Sequence, residues 1–495
     1  MRFPMRPFLR AALALLLPAL PLAAQSPQPT AQSPKRLTLE EAVRIAERQG
    51  LVAEAARSAR DAARWRDHAF GARLLPQLRL AGNAADLDRG INPITLPSGE
   101  TQFVRQAQNQ SSLGLTVAQQ LPWMGAELTV SSLMSRIDLF GDQTSQYWQT
   151  TPFVVGLRQE LFRTRTLLWD RRENDLSAAL AERRYLEARE ELAGLTASAY
   201  FDLFAAQLAL ANAAANAAVN DTLYTLNKGR YEVGKIGEND LLQSELALLR
   251  ARASLDGARL EQERTEAALR RTLNLPKGER LEAEAPTSAP LAVADPDQAV
   301  AQALRGSSAL RESELDLSRA RRRVSEARSA NGFGATLQAQ VGFNQTANAF
   351  GEAYQSPLGK QRLQVGVSMP LLQWGGGRAD VQAARAEESR SATTARVRRE
   401  ALEEDARFAA LQLVQAGRML TISAKADTVA AKRFEVAKNR YVIGKIGIGE
   451  LYIAQQEKDA ALQQYVQALR GYWAAHYRLR RVTLYDFEAG RAIVE

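Results

Sequence analysis

The sequence predicts a mainly α-helical fold with short β-strands between long helices, built twice in one chain, and three observations lead to it. Small residues recur at every seventh position, separate segments alternate apolar and polar residues, and one turn motif recurs at a fixed offset. The 495-residue chain is 46% hydrophobic and 24% charged, so it can bury a large core or build a long, thin assembly.

The internal duplication is clearest at one turn sequence. Residues 230–237 read RYEVGKIG and residues 440–447 read RYVIGKIG, an offset of 210 (440 − 230). The same register runs without a gap from about 155 to 273, which a chance match in one window would not do. We therefore predict a first repeat at 37–274, a proline-rich linker at 275–296 and a second repeat at 297–495.

The helical parts follow a heptad of small residues. In the second repeat, the positions seven apart are Ala454, Ala461, Ala468 and Ala475, and the matching positions of the first repeat are also small. A sustained seven-residue repeat indicates left-handed supercoiling, and small seam residues favour many helices packed side by side. Residues 163–227 contain no proline and one glycine, which predicts a helix of roughly 97 Å at ~1.5 Å per residue.

Between the helices, short segments change to a period of two. In the second repeat these are 337–343 and 363–371, and in the first repeat the matching segments follow Pro76 and cover 153–161. Runs of about ten residues suit membrane strands with lipid on one side and water on the other. A soluble hairpin with one buried face has the same period, so periodicity leaves both interpretations open.

The first repeat is longer near its strands. Leu51 and Pro76 align loosely with Ala309 and Gly334 at an offset of 258, which leaves about 48 extra residues (258 − 210). Further alternation at 111–139 predicts either an additional hairpin or a large external loop.

Strand number has a physical consequence if the strands are membrane strands. Two strands per repeat give about four per chain, which cannot close a barrel, and open strand edges are not tolerated in hydrocarbon. Three chains would give twelve strands, an even number within the known range.

The N-terminus predicts export. Three arginines precede an apolar stretch at 11–22 and two alanines, which indicates a signal peptide at 1–24 followed by a polar linker at 25–36. No later stretch has 18 uninterrupted apolar residues, so no transmembrane helix is expected. With no cysteine in the chain, lipidation on cysteine and disulfides are excluded.

Composition argues against catalysis. The two histidines, His68 and His476, lie 408 positions apart, and neither belongs to a zinc or triad motif. We expect no enzyme activity, no cofactor and no metal site. The formal charge is +9, or +6 without the three arginines of the signal peptide, and with export this does not favour nucleic-acid binding.

The sequence resembles the TolC family of outer-membrane efflux and secretion channels over nearly the whole mature chain. The resemblance rests on the LTLEEA segment at 37–42, the duplicated helix–hairpin–helix order and both Tyr-x-x-Gly turns. It also rests on a closing stretch of Tyr465, Ala468, Tyr472, Ala475 and Leu479.

The resemblance implies a homotrimer with a twelve-stranded outer-membrane β-barrel continued by an α-helical periplasmic tunnel. It implies a passive exit duct in a tripartite efflux pump or type I secretion system. Its partners would be a periplasmic adaptor (membrane fusion) protein and an inner-membrane pump or ABC transporter. The family's cargoes include drugs, metal ions and polypeptides, and the sequence does not choose among them.

Gate residues are also implied by the resemblance. Glu450 matches an acidic ring at the closed periplasmic tip, and Tyr441 and Asp240 match residues that hold the closed state, with Tyr231 the equivalent tyrosine of the first repeat. The position of the family's tip arginine is Ile446 here. Ordinary structural roles explain the same residues: acids favour a helix N-terminus, and tyrosines pack at helix ends.

The two tip turns are expected to face the adaptor through Gly234, Lys235, Gly444 and Lys445. An alternative function is a periplasmic coiled-coil adaptor or scaffold that never enters a membrane. Duplicated heptads and a signal peptide fit it equally well, but adaptors carry lipoyl-like and small barrel modules instead of the period-two segments. A secreted hydrolase fits least, because the acids scatter along helices.

Overall fold

The computed structural model describes residues 34–95, 97–140, 144–284 and 294–493. The predicted signal peptide at 1–24 and most of the predicted linker at 25–36 lie outside these residues. The described chain begins with a short strand, β1 (Lys35–Leu37).

Each repeat contributes four helices, and the matching helices of the two repeats have nearly identical lengths. The first repeat has α1 (Leu39–Gln49), α2 (Leu51–Arg73), α3 (Thr166–Glu232) and α4 (Glu238–Thr272). The second has α5 (Pro296–Gly306), α6 (Ser308–Ala330), α7 (Gly376–Val442) and α8 (Ile448–Thr483). The long helices α3 and α7 have 67 residues each and start 210 positions apart. Helices α5 and α6 start 257 positions after α1 and α2 (308 − 51), so this offset is one residue smaller than the predicted 258. No helix in the described part of the chain is both long enough and apolar enough to span a bilayer.

Local sequence explains where the short helices begin. The Thr38 hydroxyl accepts the Glu41 N–H while the Glu41 carboxylate accepts the Thr38 N–H, a capping box that starts α1. Asp295 caps α5 through two backbone N–H groups, and Pro296 occupies its first turn.

The long helices form a layer in the order α4–α3–α8–α7, because α3 packs against α4 and α8, and α8 packs against α7. The predicted heptad seams are buried between neighbours: Ser244 and Ala251 in α4, and Ala454 and Ala461 in α8. Small side chains therefore allow the close helix approach that the spacing predicted.

A small β layer covers one side of α3. Within the predicted linker, β7 (Leu281–Ala283) pairs in parallel with β1. The buried Tyr200 hydroxyl of α3 lies 2.9 Å from the Leu37 carbonyl oxygen and 2.6 Å from that of Glu284. The main hydrophobic core lies here, around Tyr200, Phe201 and Tyr472.

One antiparallel sheet lies at the end of the molecule where α2 and α6 end and where α3 and α7 begin. Its strands are β2 (Gln77–Asn83), β3 (Leu87–Thr95), β4 (Thr101–Leu121), β5 (Ala126–Phe140), β6 (Ser145–Leu161), β8 (Gly334–Ala347) and β9 (Leu358–Ser368). Strands β2 and β3 pair end to end along β4, so the order is β2/β3–β4–β5–β6–β8–β9. A short helical turn (Glu352–Tyr354) lies in the β8–β9 loop. Two short strands, β10 (Tyr485–Asp486) and β11 (Arg491–Ala492), pair after α8.

This sheet changes the predicted strand number. The alternating segment at 111–139 forms the β4–β5 hairpin in the middle of the sheet, rather than a large external loop. Each chain therefore supplies six strand positions, not four, and the extra residues of the first repeat account for the difference.

The two faces of the sheet differ in polarity. Residues paired across an antiparallel ladder point to the same side, and one side carries the pairs Leu80–Leu115, Val130–Val155 and Ala339–Leu363. The other side carries pairs such as Gln338–Gln364 and Thr336–Gly366. Large side chains on the apolar side are exposed, including Leu363 (73%) and Leu80 (66%).

Candidate channel wall and tip

The far end of the helical layer consists of two matching turns. In the α3–α4 turn, Gly234 has φ +72°, and the Lys235 N–H donates to the Arg230 carbonyl at 2.8 Å. In the α7–α8 turn, Gly444 has φ +76°, and the Lys445 N–H donates to the Arg440 carbonyl at 2.8 Å. Glycine is required because the left-handed conformation closes this helix-terminating motif. Both lysines are exposed at the extremity of the layer.

The tyrosines of the two turns have different environments. Tyr441 is 5% exposed, and its hydroxyl donates to the Asn227 Oδ1 at 2.6 Å. The Arg230 guanidinium donates to the Val442 carbonyl at 2.9 Å and lies 5.4 Å from the Tyr441 ring centre. Tyr231 is 41% exposed. The second turn is thus tied to the end of α3, whereas the first turn presents its tyrosine to solvent.

The two predicted tip acids differ in exposure. Asp240 and Glu450 lie in the first turns of α4 and α8. Glu450 is exposed, Asp240 is half-buried, and neither side chain forms a hydrogen bond or ion pair with the described residues. Within one chain, the structure pairs Tyr441 with Asn227 and does not bring it together with Asp240.

A buried polar ladder lies between the α3–α4 hairpin and the α7–α8 hairpin, above the tip. The sequence analysis did not identify it. Asn212 and Asn216 of α3 donate from Nδ2 to the Asp459 carboxylate of α8 at 2.7 and 3.0 Å. The Lys458 Nζ donates to the Asn216 Oδ1 at 2.9 Å. Asparagines four residues apart in an alanine-rich helix could have indicated a buried polar contact at this place.

Between the ladder and the tip, α3 and α8 carry further buried polar atoms. Those without a hydrogen-bond partner among the described residues of this stretch include Asn220 Oδ1, Asn227 Nδ2, Tyr452 Oη and Gln455 Oε1. Unpaired buried polar atoms cost free energy, so this stretch of α3 and α8 is less well satisfied than the ladder above it.

An ion-pair network fixes the C-terminal end of α8 against the middle part of α3. The Arg480 Nε donates to Glu190 at 2.8 Å, Arg480 also pairs with Asp486, and the Glu190 side chain is only 3% exposed. Burial lowers the pKa of the neighbouring His476 to about 4, and the charge of Arg480 adds to this effect. His476 is therefore neutral in the folded chain at neutral pH.

The two outer edges of the helical layer expose apolar rows. On α4, the edge carries Leu242, Leu246, Leu249 and Leu260. On α7, it carries Phe408, Ile422, Val429 and Val436. Apolar side chains in rows on both edges are typical of surfaces that pack against another helix.

Comparison with known proteins identifies the family. The family described as "Outer membrane efflux protein" matches residues 100–275 and 299–483, most of the chain. The chain therefore belongs to this family, as the duplicated helices and turns had indicated, and it is an outer-membrane efflux channel component rather than an adaptor.

Solved structures share the fold at low identity. The Campylobacter jejuni CmeC outer membrane channel is 16% identical with a TM-score of 0.65, covering 92% of this chain and 87% of that one. The outer-membrane channel OprN is 17% identical with a TM-score of 0.66, covering 91% and 90%. The Neisseria gonorrhoeae MtrE outer membrane channel, solved in its open state, is 17% identical with a TM-score of 0.62, covering 92% and 91%. No curated protein matches the chain.

Proposed function

We propose that three copies of this chain form one continuous duct, a β-barrel in the outer membrane continued by a helical tunnel in the periplasm. The observation that carries the proposal is the sheet, which has an exposed apolar face and two open edges. A polar face opposite an apolar one is the pattern of a barrel with lipid outside and water inside.

The sheet edges require further chains. Strands β2 and β3 form one edge and β9 the other, and every position of β2 and β9 is exposed. Unpaired strand edges are not stable in hydrocarbon, so they must pair or be removed from the bilayer. With six antiparallel positions, β2 runs opposite to β9, so β9 of one copy can continue the antiparallel ladder on β2 of the next.

The barrel of a trimer would then have eighteen strands rather than the expected twelve, since each chain supplies six positions. Barrel diameter grows roughly linearly with strand number, and barrels of 16–18 strands leave an aqueous channel. The β4–β5 hairpin therefore widens the barrel instead of plugging it.

The helical edges support the same assembly. The apolar rows on α4 and α7 lie at opposite ends of the α4–α3–α8–α7 layer. Packing α7 of one copy against α4 of the next would bury both rows and close a tunnel of twelve helices, four per chain.

The tip would form the gate. Three copies of Glu450 around a narrow opening would attract cations, and Asp240, Tyr441 and Tyr231 would contribute to the closed state through contacts between turns. The exposed Gly234–Lys235 and Gly444–Lys445 corners would receive a periplasmic adaptor, with an inner-membrane pump or ABC transporter supplying the cargo. Export by the predicted signal peptide at 1–24 is part of this proposal.

Membrane fractionation combined with single-channel recording tests the proposed function. We expect the chain in the outer-membrane fraction, with the mass of a trimer after mild detergent extraction, and we expect discrete conductance steps in planar bilayers. Recovery only from the soluble periplasm, with no conductance, would favour the coiled-coil scaffold and contradict the duct.

A further inference from the structure

The excess positive charge of the chain is concentrated directly below the sheet. Four segments adjoin the strands, three of them within helices and one that also includes the β6–α3 connection: 60–73, 317–330, 376–390 and 162–178. Together they contain sixteen Arg or Lys and nine Asp or Glu, a net +7 (16 − 9). After the +3 of residues 1–24 is also removed from the total of +9, the rest of the chain has a net charge of −1.

Part of this charge points to the side of α3 that faces away from a central duct. Arg172 of α3 lies on the same heptad position as Tyr200 and Gln207, and a supercoiled helix keeps positions seven apart on one face. Tyr200 and Gln207 hydrogen-bond to the backbone of the β1–β7 segment. If three chains enclose a duct, the layer formed by β1 and β7 must lie outside it, and so must Arg172.

A cavity of about 620 Å³, the α3–α6 cavity, lies just below the strands between the start of α3, α6 and α7; its lining includes three arginines and one carboxylate, that of Glu388 in α7. Arg321 and Arg328 are seven apart on α6 and both are exposed. Arg328 forms no ion pair with the described residues, whereas Arg321 lies 3.5 Å from Glu388. Arg163 completes the lining, held by a bond from its guanidinium to the Ser368 Oγ at 3.1 Å.

Exposed aromatic side chains mark the level where strands meet helices. Trp123 (69%) lies in the β4–β5 turn, Phe162 and Phe333 contact each other at the ends of β6 and α6, and Trp374 (89%) follows β9. Aromatic girdles occur at the interfaces of membrane barrels, at the level of the lipid headgroups. Lipid phosphates would therefore lie next to the arginines of the cavity.

From this geometry, and resting on the proposed outer-membrane function, we infer that the α3–α6 cavity binds the headgroup phosphate of an anionic phospholipid in the periplasmic leaflet. Arginine guanidinium groups make strong, paired hydrogen bonds to phosphate oxygens. Trp169 and Phe162 in the cavity lining offer apolar surface for the glycerol and the first acyl carbons.

Binding of fluorescent phosphatidylglycerol to the detergent-purified trimer tests this inference, with phosphatidylcholine as the zwitterionic reference. We expect a preference for phosphatidylglycerol that the double substitution Arg321→Gln and Arg328→Gln weakens by about fivefold per arginine. The matched control is Arg323→Gln, because Arg323 is two positions from Arg321 and turned about 200° away on the helix. Affinity of the control should fall less than that of the double variant does per arginine, because Arg323 does not line the cavity.

Three outcomes would overturn the inference: equal affinity for the two lipids, equal losses in the Arg321/Arg328 variant and the Arg323 control, or displacement of lipid by inorganic phosphate at low millimolar concentration. The last outcome would mean that the cavity binds free phosphate. Trimer mass and conductance are measured on the same preparations. A conducting trimer without lipid preference contradicts this inference alone, whereas loss of assembly and conductance in the unchanged protein contradicts the proposed function as well.

Discussion

The two repeats have the same helices but different strands. Helices α3 and α7 have equal lengths and keep one register, whereas the first repeat supplies four of the six strand positions and the second supplies two. A long helix in the layer packs against its neighbours through a continuous seam, so an insertion would shift all the seam residues that follow it. A hairpin added to a sheet changes the hydrogen-bonded pairing only between the two strands where it is inserted. The comparison indicates that the two repeats differ more readily in the number of sheet strands than in the helical layer.

The tip turns show a second difference between the repeats. Their backbone geometry is the same, but Tyr441 is buried against Asn227 while Tyr231 is exposed. Substitutions at matched positions of the two repeats can therefore separate what the shared fold requires from what one repeat does alone.

The largest expected effect is at the Arg480–Glu190 ion pair, whose carboxylate is more deeply buried than that of the Arg270–Glu266 pair of the first repeat. Arg480→Met leaves the Glu190 carboxylate buried without its partner, which should reduce the free energy of unfolding by about 3–5 kcal/mol. Its counterpart at offset 210 is Arg270, whose partner Glu266 also accepts the Leu281 N–H. Arg270→Met should cost less than half as much. Urea unfolding of both variants checks the order, and equal losses would contradict it.

The next effect is a pH dependence of stability from His476. Its folded pKa is about 4, below the ordinary value of 6.5. Between these values the unfolded chain binds a proton that the folded chain does not, so stability is full above pH 6.5 and falls as the pH drops to 4. The loss should be roughly 2–3 kcal/mol per chain. His476→Gln should flatten the melting temperature over this range, whereas exposed His68→Gln should not, and a slope that persists in His476→Gln would exclude this histidine as its source.

A smaller effect is expected at the tip tyrosines. Tyr441→Phe leaves the buried Asn227 amide without its hydroxyl partner, at a cost of about 1–3 kcal/mol. Because this bond ties the second turn to α3, the closed state should also leak, seen as a higher baseline conductance. Tyr231→Phe removes an exposed hydroxyl and should change neither quantity. Equal baseline conductance in the two variants would contradict the asymmetry of the tip.

The smallest effect is expected at the tip acids. Glu450→Gln should reduce the preference for cations in reversal-potential measurements, since it removes three charges from the proposed ring. Asp240→Asn, at the matching position of the first repeat, should have a weaker effect because that side chain is half-buried. Unchanged selectivity in Glu450→Gln would remove this residue from the constriction.

Local patterns predicted much of the fold. Alanines at heptad spacing identified the helical seams, and alternation at 337–343 and 363–371 identified strands of the sheet. Strand β3 was missed because Gly90 and Pro93 interrupt its pattern. The central place of the β4–β5 hairpin depends on pairing between distant segments, which periodicity does not encode.

Polar contacts between residues far apart in the sequence could not be predicted from local patterns. Glu190 and Arg480 are separated by 290 positions, and Asn216 meets Asp459 across 243. In a linear sequence, such residues look like ordinary solvated faces of amphipathic helices. The roles of Glu450 and Asp240 stay predictions, because a pore constriction depends on contacts between chains.

Cysteine cross-linking between sheet edges tests the central claim most directly, since the natural chain has no cysteine. Gln364→Cys on β9 is combined in turn with cysteine at Gln77, Arg79 or Ala81 on β2. If β9 pairs with β2 of the next copy, at least one combination should give covalent dimers and trimers on denaturing gels. The control pair Gln338→Cys and Gln364→Cys lies within one chain and should cross-link without raising the mass. Efficient cross-linking in the control, with only monomers in all three edge combinations, would contradict a barrel shared between chains.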